Sequence, residues 1–233
     1  MATVAVVTGA GSGVGRAVVV KLAAAGWAVA ALGRRDAALR DTVALAGGRA
    51  TAHPCDVADA AAVDRTFAEV RDRHGAIGLL VNAAGTNVPG RSFDRLTADD
   101  YRRIIETNLN GTFHCVAAVL AEMRLNGGGT IVNVVSDAGL WANAFSGPAY
   151  IASKFGQAGL TQAINAEERR HGIRACGIYP GEIDTPILDL RPEPPSAERR
   201  AKMLRADDVA DCVMLAVDLP MHAVVEQLVV RPR

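Results

Sequence analysis

Four side chains in this 233-residue sequence have types and spacing suited to moving a proton. Tyr150 and Lys154 stand four apart in a segment of helical character, which sets a phenol and an amine on one face, one turn apart. A free phenol titrates near ~10 and relays protons poorly at neutral pH, whereas a neighbouring ammonium stabilises the phenolate and lowers that value. Alone, YxxxK is common in helices, and a buried tyrosine beside a solvated lysine is the plain alternative. The chain uses 22 arginines and only 3 lysines, so a lysine here departs from its usual cation. Ser136 ends the run Asn133-Val134-Val135 ahead of a loop leading to Tyr150, which can bring a hydroxyl and the phenol to one place. Asn108, in Glu106-Thr107-Asn108-Leu109-Asn110-Gly111, falls inside a long helical segment. A polar amide there points to a helix irregularity or a buried hydrogen-bonding role, although an exposed surface asparagine is what the residue alone favours.

A second group of residues suits an anionic ligand. Thr8-Gly9-Ala10-Gly11-Ser12-Gly13-Val14-Gly15 follows the first apolar run and opens the first helical segment. Glycines let backbone approach a pyrophosphate, whose charge then meets the free N–H groups and positive dipole end of the helix. GxGxxG is met only incompletely from Gly11, because Arg16 stands where the third glycine belongs; TGxxxGxG, through Gly9, Gly13 and Gly15, is the better match.

Together these motifs resemble the short-chain dehydrogenase/reductase family: the TGxxxGxG turn, then Asn108, Ser136, Tyr150 and Lys154 in the family's order, over roughly residues 3 to 218. The resemblance implies a Rossmann fold with sheet order 3-2-1-4-5-6-7 and hydride exchange between a nicotinamide and a carbonyl or alcohol. It assigns Tyr150 to proton transfer, Lys154 to the nicotinamide ribose and to lowering the Tyr150 pKa, Ser136 to the substrate oxygen, and Asn108 to a water linking Lys154 with solvent. It also assigns Asp56 and Val57 to the adenine, and Asn82-Ala83-Ala84-Gly85 to the cleft floor. Pro180-Gly181 is implied beside the nicotinamide, with the Ile183 backbone and Thr185 hydroxyl on its carboxamide. Without the resemblance, Asp56 passes as a helix N-cap, and the NAAG and Pro-Gly segments as turns.

The end of the second strand bears on the choice between dinucleotides. Leu32-Gly33-Arg34-Arg35 puts guanidinium groups where NAD enzymes carry a carboxylate, so NADP(H) is favoured and NAD(H) stays open. Against it, Asp36 weakens the field, and Ser12 stands where related NADP enzymes often carry a basic residue.

Short β-branched runs near 3–8, 27–32, 49–53, 77–81, 129–135, 173–178 and 226–230 alternate with helical segments near 14–25, 36–46, 59–73, 98–125, 148–170 and 207–217. This alternation predicts a single α/β domain, a doubly wound seven-stranded parallel sheet with helices on both faces. Gly26 and Gly172 suit left-handed helix ends. Residues 186–200 carry Pro186, Pro192, Pro194 and Pro195, which excludes a regular helix; a lid over the site, about 186–206, is favoured over a plain surface connection. The loop is short for the family. Asp137, Asn143, Glu182 and Asp184 would make the substrate pocket polar; Trp141, Phe145, Leu188 and Leu190 would make it apolar.

Apolar residues form 50% and charged residues 21%, with formal net charge zero and scattered arginines, which suits a packed protein and argues against a nucleic-acid partner. No leader or membrane-length apolar run is visible, so the expectation is a cytoplasmic protein without a membrane role. Cys55, Cys115, Cys176 and Cys212 lack metal-ligand spacing and read as buried free thiols rather than a metal site or disulfides. The expected partners are a small carbonyl or alcohol substrate and, by the resemblance, further copies in a homodimer or homotetramer. A dinucleotide-binding regulatory protein without turnover is the second reading.

Overall fold

The computed structural model describes residues 4–233, so Thr3, expected at the start of the first strand, lies outside the described residues. In chain order the elements are β1 (Val4–Val7), α1 (Gly13–Ala24), β2 (Ala28–Gly33), α2 (Asp36–Leu45), β3 (Ala50–Pro54), α3 (Ala60–His74), β4 (Ile77–Asn82), α4 (Ala98–Ile105) and α5 (Gly111–Leu125). They continue as β5 (Gly129–Val134), α6 (Pro148–Glu168), β6 (Ile173–Pro180), α7 (Ala197–Arg200), α8 (Ala206–Asp218) and β7 (Gln227–Val230). All strand pairs are parallel, in the order β3-β2-β1-β4-β5-β6-β7.

Side-chain alternation divides each strand between two cores. Ala5 and Val7 of β1 pack with Val18 and Leu22 of α1 and Val213 of α8, while Val4 and Val6 pack with Phe67 of α3 and Val119 of α5. A strand covered on both faces favours apolar residues along its whole length, hence the nearly continuous apolar runs. Polar groups collect where strands end. The chain winds outward from β1 through β2 to β3, then returns to place β4 on the other side of β1. The crevice at the carboxyl ends of β1 and β4 is therefore the topological switch point of the sheet.

The structure corrects the expected elements in two places. The single helix over 98–125 is α4 and α5 joined by a π-helical turn at Glu106–Asn110, the irregularity that Asn108 signals. Within 186–200, proline does not exclude helix altogether: a 3-10 stretch spans Pro186–Leu190, and α7 forms beyond Pro195. Ser196 caps α7 by accepting from the Arg199 N–H at 3.3 Å. Gly26 (φ 95°) and Gly172 (φ 74°) take the positive φ expected of them. Cys55, Cys115 and Cys176 are buried free thiols and Cys212 is partly exposed.

Phe67 is completely buried between α3 and the sheet. Phe67→Ala is expected to cost about 3–5 kcal/mol. At roughly 2–4 °C per kcal/mol for a chain of this size, the loss is readable as a lower Tm in thermal unfolding.

Candidate active site

A cavity of about 580 Å³ opens at the switch point. Its lining includes Gly9, Gly11, Ser12, Gly13, Val14 and Gly15 at one end, and Ser136, Tyr150 and Lys154 at the other. Of the remaining expected residues, Arg34, Arg35, Asp56, Val57, Ala83, Ala84, Gly85, Pro180, Gly181, Ile183 and Thr185 also line it. Thr8, Asn82 and Asn108 do not; each is buried behind the wall. Thr8 Oγ1 accepts from the Ala83 and Ala84 N–H groups, each at 3.1 Å, tying β1 to the NAAG turn. Asn82 Nδ2 donates to Asn133 Oδ1 at 2.9 Å, bridging β4 and β5.

The glycine end has the donors to hold anionic groups. α1 begins at Gly13 without a side-chain cap and with no acidic residue in its first turn, so its free N–H groups and positive dipole end face the cavity. Glycine is required for the approach: at Gly9 (φ 65°) a Cβ would sit 2.7 Å from the Ala83 carbonyl oxygen. Arg16 braces the turn from behind, donating to the Gly11 carbonyl at 2.6 Å and to Thr42 Oγ1 at 3.1 Å. Arg34 and Arg35 are exposed on the cavity rim, and Asp36 is ion-paired with Arg40 instead of opposing them. This donor set fits a dinucleotide and its phosphates. Asp56 is not the N-cap of α3, which is Asp59, accepting from the Ala62 N–H at 3.0 Å.

At the other end, the π-helical turn carries Asn108 inward until it is fully buried. Its side-chain oxygen accepts from the Thr86 N–H at 2.8 Å, and its Nδ2 donates to the Thr86 carbonyl at 3.0 Å and to Ser153 Oγ at 3.1 Å. Lys154 Nζ donates to the Val134 carbonyl at 3.1 Å and to Gln157 Oε1 at 2.6 Å, and lies 5.5 Å from the centroid of the Tyr150 ring. Ser136 Oγ accepts from the Ala138 N–H at 3.2 Å.

The pocket wall mixes both expected characters. Asp137, Asn143, Glu182, Phe145 and Leu188 contribute, while Asp184, Trp141 and Leu190 lie outside the lining. Trp141 stacks under the Arg231 guanidinium, 4.5 Å from the ring centroid. Residues 186–188, Arg191 and Arg199 reach the cavity, and their segment is clamped by Arg191 and Arg199 on Glu182 at 2.7 and 3.0 Å.

The short chain dehydrogenase family profile matches residues 3–195. The chain belongs to this family. A 3beta-hydroxysteroid dehydrogenase of Mediterraneibacter gnavus is 38% identical over 186 residues, covering 78% of this chain and 67% of that protein. A sepiapterin reductase of Chlorobaculum tepidum is 32% identical, covering 100% and 97%. Among solved structures, a serine dehydrogenase complexed with NADP+ superposes with a TM-score of 0.92 at 27% identity, covering 99% and 95%. The seven-stranded sheet is thus the Rossmann arrangement of a short-chain dehydrogenase/reductase, an oxidoreductase class.

In this short-chain dehydrogenase the expected lowering of the Tyr150 pKa is not found. Burial pushes the hydroxyl up to about 12; a Ser136 hydrogen bond and the charges of Arg91 and Arg191 pull it down, while Asp137 pushes it up. The Lys154 amine, 3% exposed, is itself pushed down to about 7 by burial. Its two acceptors are neutral, so no carboxylate offsets the cost of burying the charge.

Two polar residues of this end escaped the sequence reading. Gln157 is fully buried and holds Lys154 Nζ, while its Nε2 donates to Thr112 Oγ1 at 2.7 Å. Its i+3 spacing from Lys154 was the available signal. Arg91 carried no motif at all.

A depressed amine pKa has a definite sign. Between pH 7 and about 10 the unfolded chain holds a proton on Lys154 that the folded, cofactor-free protein has shed, so stability rises with pH across that window. Below pH 7 the penalty is complete. Lys154→Met is therefore expected to raise the Tm at pH 7, with the gain shrinking toward pH 10; a gain independent of pH would contradict the assignment.

Proposed function

We propose that this oxidoreductase interconverts a small carbonyl compound and its alcohol, with Tyr150 as general acid/base and NADP(H) as the favoured cofactor. One observation carries the reading: a single cavity is lined at one end by the glycine turn and at the other by Ser136, Tyr150 and Lys154. When bound, the nicotinamide supplies or accepts the hydride, which no side chain can do.

The side chains then have separable tasks. Tyr150 delivers its hydroxyl proton to the carbonyl oxygen in reduction and takes it back in oxidation. Ser136 Oγ accepts from Ala138 and donates to Asp137 Oδ1 at 3.4 Å, a long bond that its hydrogen can exchange for one to the same oxygen. Lys154, steadied by Val134 and Gln157, has when protonated a third N–H for the ribose and then places positive charge close to the phenol. Asn108 ties Thr86 to Ser153 of α6, and the water assigned to it joins Lys154 to solvent. Pro180, Gly181, Ile183 and Thr185 form the nicotinamide side, and Asp56 and Val57 the adenine side.

The NADP(H) preference rests on Arg34 and Arg35, two exposed guanidinium groups with no acidic partner among the described residues. The NADP+ in the serine dehydrogenase neighbour supports it. Residues 186–206 act as the lid of a single catalytic domain in the cytoplasm. Self-association is supported by Phe113 of α5 and Phe155 of α6, which are 55% and 45% exposed on the helices that form dimer faces in the family. The reading without turnover has no specific observation in its favour.

Tyr150→Phe is expected to lower kcat/KM by about 10²–10⁴ in nicotinamide absorbance assays against a carbonyl panel, while still binding cofactor. Full activity in that variant removes Tyr150 from the reaction. Arg34→Ala with Arg35→Ala is expected to raise the KM for NADPH about tenfold or more and to leave that for NADH nearly unchanged. Equal weakening for both cofactors ends the 2'-phosphate assignment.

A further inference from the structure

The charges around the reacting end of the cavity do not cancel. Asp137 and Glu182 are the carboxylates lining this end, and each already has cationic partners. Asp137 pairs with Arg231 at 3.4 Å, and Glu182 with both Arg191 and Arg199. Arg91, also in the lining and only 7% exposed, has no carboxylate partner among the described residues. Its Nε donates to the Val88 carbonyl at 2.7 Å, Nη1 to Phe145 at 3.4 Å, and Nη2 to the Leu190 carbonyl. A guanidinium cannot shed its proton in a protein, so the charge persists after desolvation.

Arg174 shows that a buried arginine bonded to carbonyls need not await a ligand. It is 7% exposed, and its donors reach Thr130 Oγ1 and the carbonyls of Val217, Pro220 and Ala223. There, however, Val217 belongs to the last turn of α8, so the negative end of a helix dipole offsets the charge. Arg91 spends three of its five N–H groups on loop carbonyls, faces the cavity that holds Tyr150, and acts electrostatically on the Tyr150 hydroxyl. One N–H on each terminal nitrogen remains for a ligand, enough to serve the two oxygens of a carboxylate.

We propose that Arg91 is the seat of a substrate carboxylate, and that the substrate is a short oxo acid or the corresponding hydroxy acid. Arg191, with Arg199 sharing Glu182, supplies the second positive charge beside it. The inference rests on the carbonyl-reductase reading above and deepens it. The carboxylate is chemically unchanged in the reaction; it fixes the carbonyl in front of Tyr150.

The test compares 3-oxobutanoate with its neutral methyl ester, both with NADPH. The wild-type protein is expected to favour the acid by about 10²-fold in kcat/KM, and Arg91→Gln to bring that ratio near one. A ratio near one in the wild type, or an unchanged preference in Arg91→Gln, overturns the proposal. Since Arg91 also ties three loops together, a wild-type measurement stands beside the variant: acetate, but not acetamide, should compete with the ester and raise the Tm of the NADP+ complex. Acetate without either effect also overturns it. Should neither carbonyl turn over while acetate still shifts the Tm, the carbonyl-reductase reading fails and the anion seat stands.

Discussion

An amine taken out of water must be given acceptors, and much of the reacting end is arranged around that requirement for Lys154. The Val134 carbonyl, at the carboxyl end of β5, is one acceptor and Gln157 the other. Gln157 in turn needs Thr112 of α5, whose hydroxyl donates to the Asn108 carbonyl at 2.9 Å within the π-helical turn. One line of hydrogen bonds thus fixes the register of α5 against α6 and of both against the sheet. With the acceptors neutral, the amine's charge is weakly held, which leaves the phenol's high pKa uncorrected in the cofactor-free protein.

The parts legible in the sequence are those set by local period and local turn chemistry. Strands such as Ile131–Val134 declare themselves because both faces are buried, and the glycine turn because its strand-turn-helix setting is local. The family resemblance supplied the strand order and brought distant residues together. What escaped depends on long-range packing. Asn108 alone favours an exposed helix surface, and only the π-helical turn, stabilised through contacts with Thr86 and Ser153, brings it inside. The direction of the Tyr150 shift was missed because spacing shows that an amine is near but not which acceptors it serves. Arg91 was illegible because nothing around it in sequence shows that Phe145 and Leu190 arrive above it.

Cation choice follows one logic across the molecule. Arginine serves where several carbonyls must be gathered at once: Arg16 behind the glycine turn, Arg91 among the pocket loops, Arg174 at the end of α8. A planar fork with five donors suits that work. Lys154 stands where a narrow group must fit between a strand end and a helix face, with donors free to rotate toward whatever enters the cleft.

The bond from Thr8 to the NAAG turn spans 75 residues, and Gly9 packs directly on Ala83. The shape of the glycine turn is therefore not a property of the βαβ unit that contains its glycines. A nascent chain emerging from the ribosome has no finished turn until β4 has been synthesised and inserted beside β1, and forming so non-local a pairing is slow. A ligand that needs the finished turn can therefore stabilise only chains that have passed that point.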